Sequence, residues 1–340
     1  MQRCIELAKL GAGNTAPNPM VGAVLVHENR MIGEGYHRTY GQAHAEVNCI
    51  NSVQQDDEPL ISKSTLYVSL EPCAHHGKTP PCADLIIRKK IPRVVIGCRD
   101  PFSQVNGKGI EKLNAAGIEM ITGILEKECV DLNKRFFCFH TKLRPYIILK
   151  WAETANHQMA NADGSRLIIS NEFSNSLVHK WRSEEAAILV GTNTALFDDP
   201  SLTTRMGWDN QNLIRLVIDM NLRLPGSLKI FDRDARTIIF NNSRHEVTQH
   251  ITYYKLNPEG ALIEDLMHAL YQLNILSVLV EGGPRLLQSF IASGSWDEAR
   301  IIKNENLTIA GGLNAPSLHD AGLTMRENYF SDAVHYYKHL

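Results

Sequence analysis

Ser69-Leu70-Glu71-Pro72-Cys73-Ala74-His75-His76-Gly77-Lys78-Thr79-Pro80-Pro81-Cys82, taken together with His44-Ala45-Glu46 upstream, decides how the first half of this chain is read. The two segments offer two thiols, an imidazole and, two residues past the imidazole, a carboxylate. Zinc takes sulfur and nitrogen ligands tetrahedrally, and a catalytic zinc keeps one position for water. His44, Cys73 and Cys82 supply three ligands, which leaves that fourth position to water. Glu46 is then the natural proton shuttle, since an activated water must pass its proton on to a leaving group.

H-x-E followed by P-C and a second cysteine is the pattern of zinc nucleobase deaminases. Here the second cysteine lies nine positions after the first rather than three, so the pattern is a variant. An isolated H-x-E is more simply a polar helix start, and its coupling to the cysteine loop favours the catalytic reading. The rival within the motif is a structural zinc with His75 or His76 as a fourth protein ligand.

Working outward, 340 residues allow two domains with separate cores. A net charge of −2 provides no general attraction to nucleic acid or anionic lipid. No apolar run approaches the ~20 residues of a membrane span, so a cytoplasmic location is expected. All seven cysteines fall between Cys4 and Cys138, and an odd number on a chain of this size argues against a disulfide framework.

The pattern predicts helices over Ile5–Leu10, His44–Ile50, Ala83–Lys90 and Gly109–Ala116. It predicts strands over Val21–Val26, Met31–Tyr36, Thr65–Leu70 and Val94–Gly97, the first two as a hairpin. Strands alternating with helices indicate a three-layer α/β domain. Cys82 near a helix start is expected to have a lowered thiol pKa. The basic, aromatic stretch from Lys134 to Pro145 marks a boundary. A second α/β series follows, with strands at Tyr146–Lys150, Ala187–Val190, Leu216–Ile218, Thr237–Phe240 and Ser277–Val280. The helices between them are Leu177–Arg182, Ile263–Leu273 and Arg285–Ala292.

Two turns in this second half suit phosphate. Val280-Glu281-Gly282-Gly283-Pro284 runs off a strand into a helix, and its glycines let backbone N–H groups approach an anion. Leu189-Val190-Gly191-Thr192-Asn193-Thr194 does the same and leads to Asp198-Asp199-Pro200-Ser201-Leu202-Thr203-Thr204-Arg205. Arg182 and Arg205 lie nearby in sequence, and a guanidinium is a fitting bidentate partner for a phosphate. Lys150, on an apolar strand, needs a buried partner.

These motifs, with Ala16-Pro17-Asn18-Pro19-Met20-Val21-Gly22, Gly33-Glu34-Gly35-Tyr36-His37 and Arg215-Leu216-Val217-Ile218-Asp219, closely resemble the bifunctional riboflavin-biosynthesis deaminase–reductases, the RibD family. The resemblance covers nearly the whole chain. It implies a cytidine-deaminase-like domain over 1–142 and a dihydrofolate-reductase-like α/β domain over 143–340. The first would deaminate a diaminopyrimidinone ribosylamino phosphate with zinc, and the second would reduce the ribosyl side chain to ribityl with NADPH. A homodimer is the family expectation. By position, His44, Cys73 and Cys82 would hold zinc, and Glu46 would transfer protons. Asn18, His37, Lys78 and Thr79 would meet the deaminase substrate. Arg166, Arg182, Leu202, Arg205 and Glu281 would meet the reductase substrate. Ala152, Ile168, Thr194, Asp198, Gly283, Pro284, Arg285, Leu286 and Leu287 would meet NADPH, and Lys150 would act electrostatically near the sugar.

One stretch departs from the family. Thr154-Ala155-Asn156-His157-Gln158 stands where members show Ser-Leu-Asp-Gly and a basic residue, and Ile168 stands where many carry Trp. An altered loop beside the nicotinamide is therefore expected. The chain is also expected to lack the short leader that precedes the first helix in the family. The departure leaves open a zinc deaminase whose second domain only binds nucleotide or is an impaired reductase. A tRNA or nucleotide deaminase with an added domain is the other enzyme reading, and the long cysteine spacing and the absence of net positive charge argue against RNA.

Overall fold

Val21 to Tyr36 forms the hairpin that its turn residues, His27 to Arg30, predict, and the first sheet grows around it. The computed structural model describes residues 1–102, 105–163, 165, 167–205, 207, 213–257 and 259–340. Two units separate by their internal contacts, Met1–Leu143 and Arg144–Leu340.

In chain order the first unit comprises α1 (Gln2–Lys9), β1 (Gly22–His27), β2 (Arg30–Tyr36), α2 (Ala45–Asn51), β3 (Thr65–Leu70), α3 (Cys82–Arg88), β4 (Arg93–Cys98), α4 (Lys108–Ala115), β5 (Glu119–Thr122), α5 (Glu126–Leu132) and α6 (Lys134–Lys142). The sheet order is β2-β1-β3-β4-β5. β1 runs antiparallel to both neighbours, and β3, β4 and β5 are parallel. Alternation places Ala23 and Leu25 in a core shared with α2, α3 and α4, while Val24 packs with Cys4 and Leu7 of α1 on the other face. This is the three-layer arrangement. β5 and α5 were not legible as elements, and the basic, aromatic stretch read as a boundary forms α6, whose Phe136, Cys138 and Phe139 are buried.

The second unit comprises β6 (Tyr146–Thr154), β7 (Gln158–Asn161), α7 (Glu172–Glu184), β8 (Ala187–Gly191), α8 (Thr192–Asp198), β9 (Ile214–Ile218), β10 (Thr237–Asn241), β11 (Glu246–Val247), β12 (Ile251–Lys255), α9 (Leu262–Gln272), β13 (Ser277–Val280), α10 (Pro284–Ala292), β14 (Glu298–Asn304), β15 (Gly312–Asn314), β16 (Ala321–Tyr329) and β17 (Asp332–His339). Ten strands form one sheet in the order β11-β12-β10-β9-β8-β13-β6-β14-β17-β16, and β15 pairs with β7 separately. From β12 to β14 the neighbours are parallel. β8 shows why its sequence is a continuous apolar run. Ala187 and Leu189 enter the core under α9 and α10, and Ile188 and Val190 enter a second core on the opposite face. α7 begins five residues before its predicted start because Asn171 caps it, accepting the Ser174 N–H at 3.0 Å.

Candidate active sites

The zinc-type cluster is held between the start of α2 and the loop from β3 to α3. His44 is the N-cap of α2, with extended backbone, and Glu46 sits in the first turn, 3% exposed. Cys73 follows β3, and Cys82 opens α3. His44 Nδ1 lies 3.6 Å from Cys73 Sγ and 3.5 Å from Cys82 Sγ. All three ligand atoms lie within 4.8 Å of one another, and among the described residues no other group of three or more His, Cys, Asp or Glu side chains converges in this way. Neither His75 nor His76 belongs to the cluster.

The electrostatics correct one expectation. Cys82 hydrogen-bonds the Cys73 sulfur and holds the Cys73 thiol down to about 4, against burial, with His44 assisting. Cys82 itself is pushed well up by that same bond and by burial. The helix-start effect reaches Cys73 instead, since the Cys82 backbone N–H donates to its sulfur at 3.4 Å. Burial, then the Cys73 charge, raises the Glu46 carboxyl above its ordinary range, with His44 opposing.

The surrounding groups are ordered. Asn18 Nδ2 donates to His37 Nε2 at 3.2 Å, leaving His37 Nδ1–H to donate to the Ala43 carbonyl at 3.1 Å. This assigns a neutral tautomer, and burial lowers the pKa of the ring. Lys78 Nζ lies 4.1 Å from the centroid of the Tyr40 ring. Thr79 is half-buried, and its carbonyl accepts the Gly77 N–H at 3.3 Å. Glu71 has a role that sequence reasoning missed. Its buried carboxylate accepts four backbone N–H groups, from Asp100, Gly107, Gly109 and Ile110, at 3.0 to 3.3 Å. That bond set ties the β3 end to the start of α4 and holds the cysteine loop. A Cβ at Gly109 would collide with the Pro72 carbonyl, so the loop and helix meet backbone to backbone.

In the second unit a cleft of about 1050 Å³ opens over the ends of the parallel strands. Its centre is an ion triad. Arg182 Nε and Nη2 meet the two oxygens of Glu281 at 2.6 and 2.9 Å, and Lys150 Nζ reaches Glu281 at 3.5 Å. Burial opposes the charge on Glu281, but Arg182 and Lys150 outweigh it and hold the carboxyl down to about 2. Lys150 thereby has its partner, although burial still lowers its pKa. The third Arg182 contact is Nη1 to the Thr203 carbonyl at 3.3 Å. Its bidentate face is occupied, so it cannot clamp a phosphate in the way expected of a free guanidinium.

Ala152, Ile168, Thr194, Asp198, Leu202, Arg205, Gly283, Pro284, Arg285 and Leu286 line the cleft, and so do His179, Arg223 and Lys229, which sequence reasoning passed over. Leu202 is buried and takes φ +48, a strained backbone for a branched residue. Leu287 is different: its side chain is fully buried in the main core and does not line the cleft. Arg166 lies outside the described residues. The altered turn also departs from expectation, because none of Thr154 to Gln158 lines the cleft. His157 takes φ +60 at the turn, and Asn156 is bound to the Ile309 carbonyl at 2.8 Å. Thr154 Oγ1 accepts the Gln158 N–H at 3.0 Å, so the turn closes without the glycine.

Comparison with known proteins agrees with both halves. Residues 145–325 match the RibD C-terminal domain, and residues 1–98 match the cytidine and deoxycytidylate deaminase zinc-binding region. The riboflavin biosynthesis protein RibD of Aquifex aeolicus is 38% identical, over 99% of this chain and 97% of that protein. The chain belongs to the RibD family. The Escherichia coli RibD is 35% identical, covering 88% of this chain and 84% of that one. The crystal structure of a diaminohydroxyphosphoribosylaminopyrimidine deaminase/5-amino-6-(5-phosphoribosylamino)uracil reductase from Thermotoga maritima superposes with a TM-score of 0.90 at 36% identity, covering 100% of this chain and 97% of that one. The chain is thus a bifunctional enzyme of riboflavin biosynthesis, a deaminase joined to a dihydrofolate-reductase-like reductase, with zinc and NADPH as its cofactors. A reading in which the second domain merely binds nucleotide is not favoured.

The residues fit both groups. One imidazole and two thiols converging at contact distances are a zinc donor set, and a dication favours the second thiol deprotonation. At the cleft, Gly283 caps α10, Pro284 has no N–H, and the Leu286 and Leu287 N–H groups return to the Gly283 carbonyl at 3.1 and 3.2 Å, so the Arg285 N–H is the one the helix start offers an anion. A Cβ on Gly282 would come within 2.7 Å of Leu286 and 3.3 Å of the Gly191 nitrogen, so the glycines keep this wall thin where a pyrophosphate would approach.

Proposed function

We propose that the first unit hydrolytically removes the 2-amino group of 2,5-diamino-6-(5-phosphoribosylamino)pyrimidin-4(3H)-one. The second unit then reduces the ribosyl side chain of the product to ribityl. His44, Cys73 and Cys82 would hold zinc, which supplies Lewis acidity that makes a water nucleophilic near neutral pH. Glu46 carries the proton of that water to the ring nitrogen and then to the departing amine, so water is consumed and ammonia released. Burial, which raises the Glu46 carboxyl above its ordinary range, suits a group that must hold a proton before releasing it. Asn18 and neutral His37 orient the pyrimidine, and Lys78 with Thr79 meets its polar rim.

In the cleft, Ala152, Ile168, Thr194, Asp198 and the Gly283 to Leu286 turn bind NADPH, which supplies the hydride to the sugar carbon. Arg205 takes the substrate phosphate and Leu202 lines the same cleft, and Arg166 is assigned to the substrate by the family resemblance alone. Glu281 fixes Lys150 and Arg182 and keeps a single net positive charge facing the reacting sugar. The observation that carries the proposal is the convergence of His44, Cys73 and Cys82 beside buried Glu46. Homodimeric assembly and a cytoplasmic location complete it, supported by the family resemblance. No helix among the described residues is long and apolar enough to cross a membrane.

Glu46→Ala tests the deaminase assignment. Ammonia release should fall by about 10²- to 10⁴-fold while zinc content is unchanged. A variant that keeps its turnover would remove Glu46 from the chemistry.

A further inference from the structure

The cleft is lined by six cationic side chains among the described residues, and they divide by whether the protein already neutralises them. Lys150 and Arg182 share Glu281, and Lys229 pairs with Asp199 at 3.4 Å. Arg205, Arg223 and Arg285 line the same cleft with no hydrogen bond or ion pair from their guanidinium groups to the described protein. A reductase that binds NADPH and a phosphorylated substrate must meet three kinds of phosphate: the substrate phosphate, the pyrophosphate and the adenosine 2′-phosphate.

Position along the sheet assigns them. Arg205 closes the segment whose Thr203 carbonyl holds Arg182, so it lies at the Glu281 end with the substrate. Arg285 is the second residue of α10, beside Gly283, where a pyrophosphate meets the helix start. Arg223 follows β9. The strands run β9-β8-β13-β6 in order, so β9 is three strand spacings, about 14 Å, from the Lys150 strand. That separates the far, adenosine half of a dinucleotide from its nicotinamide.

The turn carrying Arg223 is built to hold it. Asp219 accepts the Leu224 N–H on its carboxylate at 2.9 Å and the Leu222 N–H on its carbonyl at 3.1 Å. Leu222 takes φ +49 between them. In many dinucleotide sites an acid at the end of a strand binds the ribose 2′-hydroxyl and repels a 2′-phosphate, whereas a nearby arginine accommodates it. Here the acid at the strand end, Asp219, is 2% exposed, is engaged by the turn, and does not line the cleft. The exposed guanidinium four residues on does.

We propose that Arg223 reads the 2′-phosphate of NADPH and sets the preference for NADPH over NADH. The inference rests on the reading of this cleft as the nicotinamide-cofactor site. Calorimetry on the intact protein tests it, with NADPH, NADH, 2′,5′-ADP and 5′-AMP titrated into wild type, Arg223→Gln, Arg223→Lys and Arg285→Gln. Arg223→Gln should weaken NADPH and 2′,5′-ADP by about 10- to 100-fold and leave NADH and 5′-AMP unchanged. Arg223→Lys should recover part of the loss. Arg285→Gln should weaken both dinucleotides alike. Full NADPH preference in Arg223→Gln, or its loss only in Arg285→Gln, overturns the assignment. Wild type that binds neither dinucleotide refutes the reading of the cleft itself, and the inference with it.

Discussion

The two sites treat buried charge in opposite ways. Around His44 the protein gathers donors of negative charge, two thiols and a buried carboxylate, with a single imidazole to balance them. In the reductase cleft the central charges are already paired within the protein, since Glu281 takes both Arg182 and Lys150 and leaves one positive charge in excess. The first arrangement is stable as a set only with a dication among its ligands. The second is complete in protein alone and releases Arg205, Arg223 and Arg285 to meet anionic ligands. Metal chemistry and phosphate recognition thus follow from where each unit leaves charge unmatched.

The largest test of that contrast removes a zinc ligand. Cys73→Ser should abolish zinc binding and ammonia release, read by metal analysis and an ammonia assay, while NADPH oxidation on pre-deaminated substrate continues at the wild-type rate. Equal loss of both activities would show that the sites are not electrostatically independent.

Breaking the matched triad should cost less and act elsewhere. Glu281→Gln leaves Arg182 and Lys150 without their counter-charge and should destabilise the reductase unit by about 3–5 kcal/mol at pH 7, with zinc content unaffected. The pH dependence has a definite sign. A carboxyl held at about 2 rather than its ordinary 4.5 contributes its stabilisation in full above about pH 4.5 and loses it as pH falls toward 2. That contribution is about 3 kcal/mol, and the variant should lack this part of the acid slope in denaturant titrations. An unchanged slope would mean that the triad does not set the ionisation of Glu281.

The smallest effect is expected at the unusual turn. Asn156→Asp with His157→Gly restores the family pattern at these two positions. Glycine relieves about 1 kcal/mol of left-handed strain at φ +60. Against this, the buried carboxylate of Glu153 loses its His157 contact at 2.9 Å while keeping the Trp151 N–H at 2.9 Å. Stability should change by no more than about 1 kcal/mol, and NADPH oxidation should stay within about twofold. A large gain in rate would show that the native turn restrains the nicotinamide end after all.

The same contrast governs what the sequence disclosed. The zinc ligands lie on one loop and one helix start within 39 residues, so their spacing alone carries the chemistry. The cleft is assembled from segments between Lys150 and Leu313, and only the Gly283 and Gly191 turns carry a local signal. The occupied face of Arg182 and the unpaired state of Arg223 depend on side chains about 100 residues away, or on none, and no spacing encodes them. Glu71 was visible as a letter in the motif, but its four N–H partners come from a loop 29 to 39 residues later. Strand expectations succeeded where both faces are apolar, as in β8 and β13. They missed β16, whose exposed Leu323 and Met325 give no core signature.

The most direct measurement is a coupled assay on zinc-loaded protein with the diaminopyrimidinone phosphate and NADPH, following ammonia release and nicotinamide absorbance separately. Ammonia is expected first and NADPH oxidation after it, each abolished by its own site variant. No ammonia from fully metallated protein would contradict the central claim. Ammonia without NADPH oxidation would confine that claim to the first unit.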